Sequence, residues 1–267
     1  MKTTAYRYPG EEAILSGTLI LVGVVLLLAS AASLCLAPLL VGLIILMTYS
    51  ANQSHHQELK RRAQRVTQST IPQLAALVEQ CARRLQPGAL DVFVVRSREL
   101  NAYTFGMDKP NAIVLYSSLF HLMDADELRF IIGHEMGHVA LGHTWLNSLV
   151  GGLAGVPSSL GAAVIVSLAF RSWNRVCEYS ADRAGLLACG KVNKAISALV
   201  KLVNHEADTP EEIEETLRII EREDDQLDNI LLETLMTHPM TIKRIENLRN
   251  YAASAEFQKL QARLNAA

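Results

Sequence analysis

Two histidines one helical turn apart, with a glutamate directly after the first, constrain this chain more than any other feature: His134-Glu135-Met136-Gly137-His138. Side chains at i and i+4 lie on one face of an α-helix, so both imidazoles can aim a ring nitrogen at the same ion only where the chain is helical. The flanking residues predict that helix. Asp124 can cap its N-terminus and Asp126 and Glu127 suit its first turn. Leu128, Ile131, Ile132, Val139 and Leu141 supply apolar positions, and no proline falls between Asp124 and His143. Zinc lowers the pKa of a bound water from about 16 to about 7, and Glu135 stands where it can take that water's proton. The chemistry implied is metal-assisted hydrolysis of an amide.

Two histidines do not complete a site. His143 is the nearest further imidazole, but the three-histidine pattern needs its glycine and last histidine at other distances from the second than Gly142 and His143 occupy. A helix that continued past His138 would carry His143 well away from the metal, so it is expected as a residue favoured by the dipole at the helix C-terminus. Glu178 and Asp182 are better placed, again at i and i+4 on a second predicted helix. One carboxylate can bind the metal while the other orients a histidine. Taken alone, the pair would be read as a solvated acidic face flanked by Arg175 and Arg183.

Together with Asn101-Ala-Tyr-Thr-Phe-Gly106, Glu178-Tyr-Ser-Ala-Asp182-Arg183-Ala-Gly185, and Thr237-His238-Pro239 followed by Arg244-Ile245, the pentapeptide makes the chain resemble the HtpX-like zinc metallopeptidases. These are relatives of the CAAX prenyl endopeptidases, and the resemblance runs from Ile71 to Leu248. It implies an α+β, mostly helical, zincin-like (gluzincin) domain that holds one Zn2+ per chain on His134, His138 and Glu178. Glu135 would be the general base and Asp182 the partner of a ligand. His238 and Arg244 match elements near the active site, and His238 or Tyr179 would be the second donor to the oxyanion.

From Ala13 to Met47 no side chain is charged, and one membrane span needs about 20 apolar residues. The run fits two short spans with a turn near Ser30 to Ser33, or one long helix kinked at Pro38. The hairpin is preferred because the HtpX-like family has a pair of spans there. Ala29-Ser30-Ala31 also fits a signal cleavage pattern, but the product would begin with another apolar run, Ala32 to Met47. Lys60, Arg61, Arg62 and Arg65 after the run, with Lys2 and Arg7 before it, keep both ends cytoplasmic by the positive-inside rule. The expected location is the inner (cell) membrane, multi-pass, with the catalytic domain on the cytoplasmic side. A net charge of −2, and no aromatic residues among these basic ones, argue against nucleic acid as a partner. Cys35, Cys81, Cys177 and Cys189 show no C-x-x-C spacing, as suits a reducing compartment.

The organisation expected is a cytoplasmic N-terminus at 1–12, a transmembrane hairpin at 13–50, a basic juxtamembrane linker at 51–70 and a zinc metallopeptidase domain at 71–267. Leu146 to Phe170 is a second apolar stretch. A single crossing there would put Glu178 across the membrane from His134 and His138, so a short hairpin against the domain or interface is expected. Ile71 to Leu85 predicts an amphipathic helix ended by Pro87-Gly88. Short alternating strands follow at Asp91 to Arg96, Ala102 to Phe105 and Ala112 to Tyr116, forming a small antiparallel sheet. Its edge is expected at Ala112, Ile113, Val114 and Leu115, where a substrate could add as a further strand, with Asn101 to Gly106 alongside. Beyond Thr209 the chain is charged and helical and should cover the site.

The activity expected is that of a membrane-anchored zinc endopeptidase working on membrane or misfolded proteins through a zinc-bound water, with a polypeptide substrate and the lipid bilayer as partners. The rival is a non-catalytic or latent zinc-stabilised scaffold that binds client proteins. Glu135 argues against it, because a scaffold needs no base. Nothing in the sequence reports the oligomeric state.

Overall fold

The computed structural model describes residues 3–32, 36–106, 109–147, 161–225 and 241–266. After a 3-10 turn at Thr3–Tyr6 come α1 (Glu11–Ala32), α2 (Leu36–Arg62), β1 (Gln64–Arg65), α3 (Pro72–Leu85), β2 (Leu90–Val95), β3 (Ala102–Phe105), β4 (Asn111–Tyr116) and the one-turn α4 (Leu119–Leu122). The motif helix α5 (Ala125–Leu141) follows, then α6 (Gly161–Cys189), α7 (Val192–Val203), α8 (Pro210–Asp225), α9 (Thr241–Ala253) and α10 (Ala255–Ala266). The mostly helical α+β class read from the sequence is the one observed.

The sheet differs from expectation in two ways. Its order is β1-β2-β4-β3, and it is mixed rather than antiparallel: β2 and β4 run parallel, from Leu90 opposite Asn111 to Val95 opposite Tyr116. The expected edge, Ala112 to Leu115, is an interior strand, and β3 is the outer strand on that side among the described residues. The reason lies in the residues of β4. An unbroken apolar run marks a strand covered on both faces, and Ala112, Ile113, Val114 and Leu115 are all fully buried. Ile113 and Leu115 join the main core with Phe130, Ile132 and Met136 of α5, whereas Ala112 and Val114 pack with Leu59, Phe93 and Phe105 on the other face. Leu59 belongs to α2, so the segment expected as a linker is helix as far as Arg62 and then strand, and part of it is core.

Helices α5 and α6 meet at a seam of small residues. A Cβ added at Gly137 would stand 2.7 Å from the Cβ of Ala184, and one at Gly185 would stand 2.7 Å from the carbonyl oxygen of Phe130. Gly133 likewise faces Ala188. Because real Cβ atoms do not approach so closely, only glycine permits this separation of the two backbones. The seam brings Glu178 and Asp182 of α6 beside His134 and His138 of α5.

Among the described residues one helical segment, Glu11–Leu28, is long and apolar enough to cross a membrane, and most of it is exposed. Its inner face packs Ile14, Leu15 and Val22 against Leu146, Phe170, Trp173 and Cys177, and Thr18 Oγ1 donates to the Ala169 carbonyl at 3.3 Å. Helix α2 touches α1 and exposes Leu39, Leu43, Leu46 and Met47. Its apolar part ends near Tyr49 after about 14 residues, roughly 21 Å of helix against a hydrocarbon core of about 30 Å. Pro38 lies in the first turn of α2, where proline fits without a kink. Of the expected Ser30 to Ser33 turn, Ser33 lies outside the described residues, as do residues 148–160 of the second apolar stretch. The rest of that stretch, from Gly161, is the start of the helix that carries Glu178.

Candidate metal centre

Helix α5 begins as its sequence predicts. The Asp124 carboxylate accepts from the backbone N–H groups of Asp126 and Glu127 at 2.9 and 3.0 Å, and Glu127 reaches back to the Asp124 N–H at 2.9 Å, a complete capping box. Within α5 every residue from Phe130 to Val139 is buried. His134 and His138 therefore sit in the interior, on the face turned toward α6.

Three donor atoms converge there. His134 Nε2 and His138 Nε2 are 3.2 Å apart, and they lie 3.5 and 3.4 Å from the two carboxylate oxygens of Glu178. A tetrahedral ion bonded at about 2.0–2.1 Å separates neighbouring donors by about 3.3 Å. The two imidazole nitrogens, and each of them with its nearer carboxylate oxygen, stand at about that separation, and one donor atom from each residue lies within 4.8 Å of the others. Two imidazoles and a carboxylate suit zinc and leave a fourth position open, and the residues present fit the ion. Solvent reaches the triangle on the side of Glu178, whose side chain is 26% exposed.

The electrostatics favour a cation at the same point. Burial disfavours charge on Glu178 and Asp182, but the Arg244 guanidinium holds Glu178 well below the usual carboxylate range and Asp182 below it as well. Burial also opposes charge on His134, yet Asp182 and Glu178 together lift its imidazole to about 10. The same two carboxylates draw a cation to this point.

Each histidine is oriented from behind. His134 Nδ1 donates to Asp182 Oδ1 at 2.9 Å, which leaves Nε2 for the metal. Asp182 is gripped in turn by Arg244, whose Nε and Nη2 donate to its two oxygens at 2.8 and 2.6 Å, while Nη1 lies 3.2 Å from Glu178. Arg244, expected near the active site, is engaged with these carboxylates. The second orienting group was not foreseen: His138 Nδ1 meets His143 Nδ1 at 3.0 Å. Helix α5 ends at Leu141 with Gly142 at φ +80°, and this left-handed residue turns the chain so that His143 folds back. Burial holds the His143 imidazole below its ordinary pKa and therefore neutral.

Glu135 is buried on the same helix, and no hydrogen bond to its carboxylate forms among the described residues. Burial pushes its pKa up from the ordinary carboxylate value, the direction that suits a group that takes up and gives back a proton. Tyr179 turns its ring toward Tyr8, with centroids 5.1 Å apart. Asn101 accepts a backbone hydrogen bond from Tyr116 at 3.1 Å, at the entry to the outer strand β3. Ala112, Ile113 and Val114 lie in the interior of the sheet, and His238 falls outside the described residues.

Comparison with known proteins gives a consistent picture. A model of peptidase family M48 matches residues 68–252. The chain is 26% identical over 216 residues to the plastoglobule-localized metallopeptidase 48 of Arabidopsis thaliana, covering 75% of this chain and 62% of the relative. It is 28% identical over 233 residues to a protease HtpX homolog of Pyrococcus abyssi, covering 70% and 76%. A protease HtpX homolog of Paenarthrobacter aurescens is 31% identical over 102 residues, covering 38% and 35%. No solved structure matches the chain.

Proposed function

Because the chain belongs to the HtpX-like metallopeptidases of peptidase family M48, we propose that it is a membrane-anchored zinc endopeptidase that cuts membrane or misfolded proteins. One observation carries this reading: ligand atoms of His134, His138 and Glu178 gather within 4.8 Å of one another, beside a buried carboxylate that makes no hydrogen bond among the described residues. His134, His138 and Glu178 would hold the ion. Bound there, zinc supplies Lewis acidity toward a carbonyl oxygen and a water. Glu135 takes the proton of the attacking water and delivers it to the leaving amine nitrogen. Asp182 and Arg244 fix the ligands so that the site need not reorganise during the reaction.

Substrate binding as an added strand belongs to β3, because the interior position of β4 leaves it no free edge. Main-chain hydrogen bonds along residues 101–106 would hold an extended polypeptide without demanding a particular sequence. Support for membrane attachment comes from the exposed apolar face of α1, and the cluster Lys60, Arg61, Arg62 and Arg65 favours a cytoplasmic catalytic domain.

The test uses the full chain in detergent, with cleavage of an unfolded protein and bound zinc measured for the parent and for Glu135→Gln. Both should carry one zinc per chain, and the variant should cleave about 10²- to 10⁴-fold more slowly. Equal cleavage by the two would sink the mechanism.

A further inference from the structure

The support behind His138 reaches further than that behind His134. His143, after meeting His138 through Nδ1, lies with its Nε2 3.1 Å from Glu11 Oε1. Glu11 is the first residue of the apolar helix α1, yet it is only 1% exposed. Both its oxygens are engaged: Arg7 Nη1 donates to Oε1 at 2.9 Å, and the Ser180 hydroxyl donates to Oε2. Ser180 lies on α6 between the ligand Glu178 and Asp182.

With an ion on His138, one arrangement of protons suits both imidazole contacts. On the zinc reading His138 Nε2, which faces His134 and Glu178, is committed to the ion, so its proton is on Nδ1. That proton is donated to His143 Nδ1, which must then be an unprotonated acceptor. The proton of His143 is then on Nε2 and is donated to the Glu11 carboxylate. The reverse arrangement, His143 Nδ1–H donating to His138, would turn an unprotonated Nε2 toward the Glu11 carboxylate at 3.1 Å and leave two acceptors facing each other. The result is a carboxylate acting on a ligand histidine through a second imidazole.

We propose that Glu11 and His143 are positioning residues for the metal ligand His138, so that the first turn of the apolar helix is part of the metal centre. The inference rests on the zinc reading of the site. The carboxylate holds His143 in one tautomer, and His143 holds the His138 ring at the angle that aims Nε2 at the ion and raises its strength as a donor. A network that merely tied α1 to α6 would need Glu11, Arg7 and Ser180 but would have no use for His143 in a fixed tautomer.

The experiment is a zinc competition titration against a chromogenic chelator, on full-length protein in detergent that has first been stripped of metal. Parent, Glu11→Gln, His143→Gln and the double variant are compared, with thermal unfolding of each metal-free protein and visible spectra of each cobalt(II)-loaded form. Each single variant should bind zinc about tenfold more weakly, the magnitude seen when a ligand's hydrogen-bonded partner is lost. The double variant should be no weaker than the weaker single one, because both act along one chain. The cobalt spectrum should shift in both, which loss of a purely structural tie would not cause. Unchanged zinc affinity with a lowered unfolding temperature overturns the proposal and leaves Glu11 a structural anchor, and additive losses overturn the single chain. Since the two variants probe separate residues, a folding defect in one leaves the other to decide. A parent that binds no zinc would overturn the metal reading together with the relay, whereas a zinc-binding parent matched by its variants overturns the relay alone.

Discussion

His134 and His138 reach the metal position from the same face of the same helix, yet they are held in different ways. His134 is backed directly by a carboxylate, Asp182, which comes from the facing helix and is clamped by Arg244. His138 is backed by a neutral imidazole, and charge enters only at Glu11, one hydrogen bond further out and on a different helix. The first arm is made entirely of elements in the catalytic core. The second depends on whether the N-terminal helix is seated. Equivalent ligands can therefore differ in how much of the molecule must be in place before they bind.

The largest effect that would sharpen this contrast is expected from Asp182→Ala. It frees His134 and leaves Arg244 buried with half of its partners. Zinc affinity should fall about 10- to 100-fold, and the metal-free protein should lose about 3–5 kcal/mol in denaturant unfolding, the range for breaking a buried ion pair. A loss no greater than that of Glu11→Gln would make the two arms equivalent and break the comparison. Gly137→Ala comes next, because its Cβ would press on Ala184 and force α5 and α6 apart. About 1–3 kcal/mol of stability should go, with zinc weakened through both arms, since the seam serves them equally. The smallest effect is expected from Gly142→Ala. A φ of +80° costs an L-residue about 1–2 kcal/mol, and the change disturbs the return of His143 alone. Combined with His143→Gln it should reduce zinc affinity no further; an additional loss in the titration would mean that Gly142 also serves the His134 arm.

The sequence made one arm legible and hid the other, for physical reasons. His134, His138, Glu178 and Asp182 announce themselves because i, i+4 spacing on a helix is a local geometry. The capping box at Asp124 is local too. His143 is harder to place, because reading it as the C-terminal residue of the helix points it away from the metal, although Gly142 before it is the residue type that most often ends a helix in a left-handed turn. Glu11 is 132 positions from His143 and sits at the head of an apolar run, where nothing local suggests burial against a metal ligand. The sheet was misread for a related reason. Consecutive short strands suggest antiparallel neighbours, and only the unbroken apolar run from Ala112 to Leu115 hinted at a strand covered on both sides. The role of Arg244 could not be read either, since a guanidinium that clamps two carboxylates and one that waits for a substrate look the same in a sequence.

The seating of Glu11 also has a mechanical consequence. A membrane helix that is free along its length answers a change in bilayer thickness by sliding, tilting or both. Here the first residue of α1, the helix proposed to enter the membrane, is wedged between Arg7, Ser180 and His143. Such a helix can pivot about that residue but cannot travel along its own axis without pulling a carboxylate out of its socket.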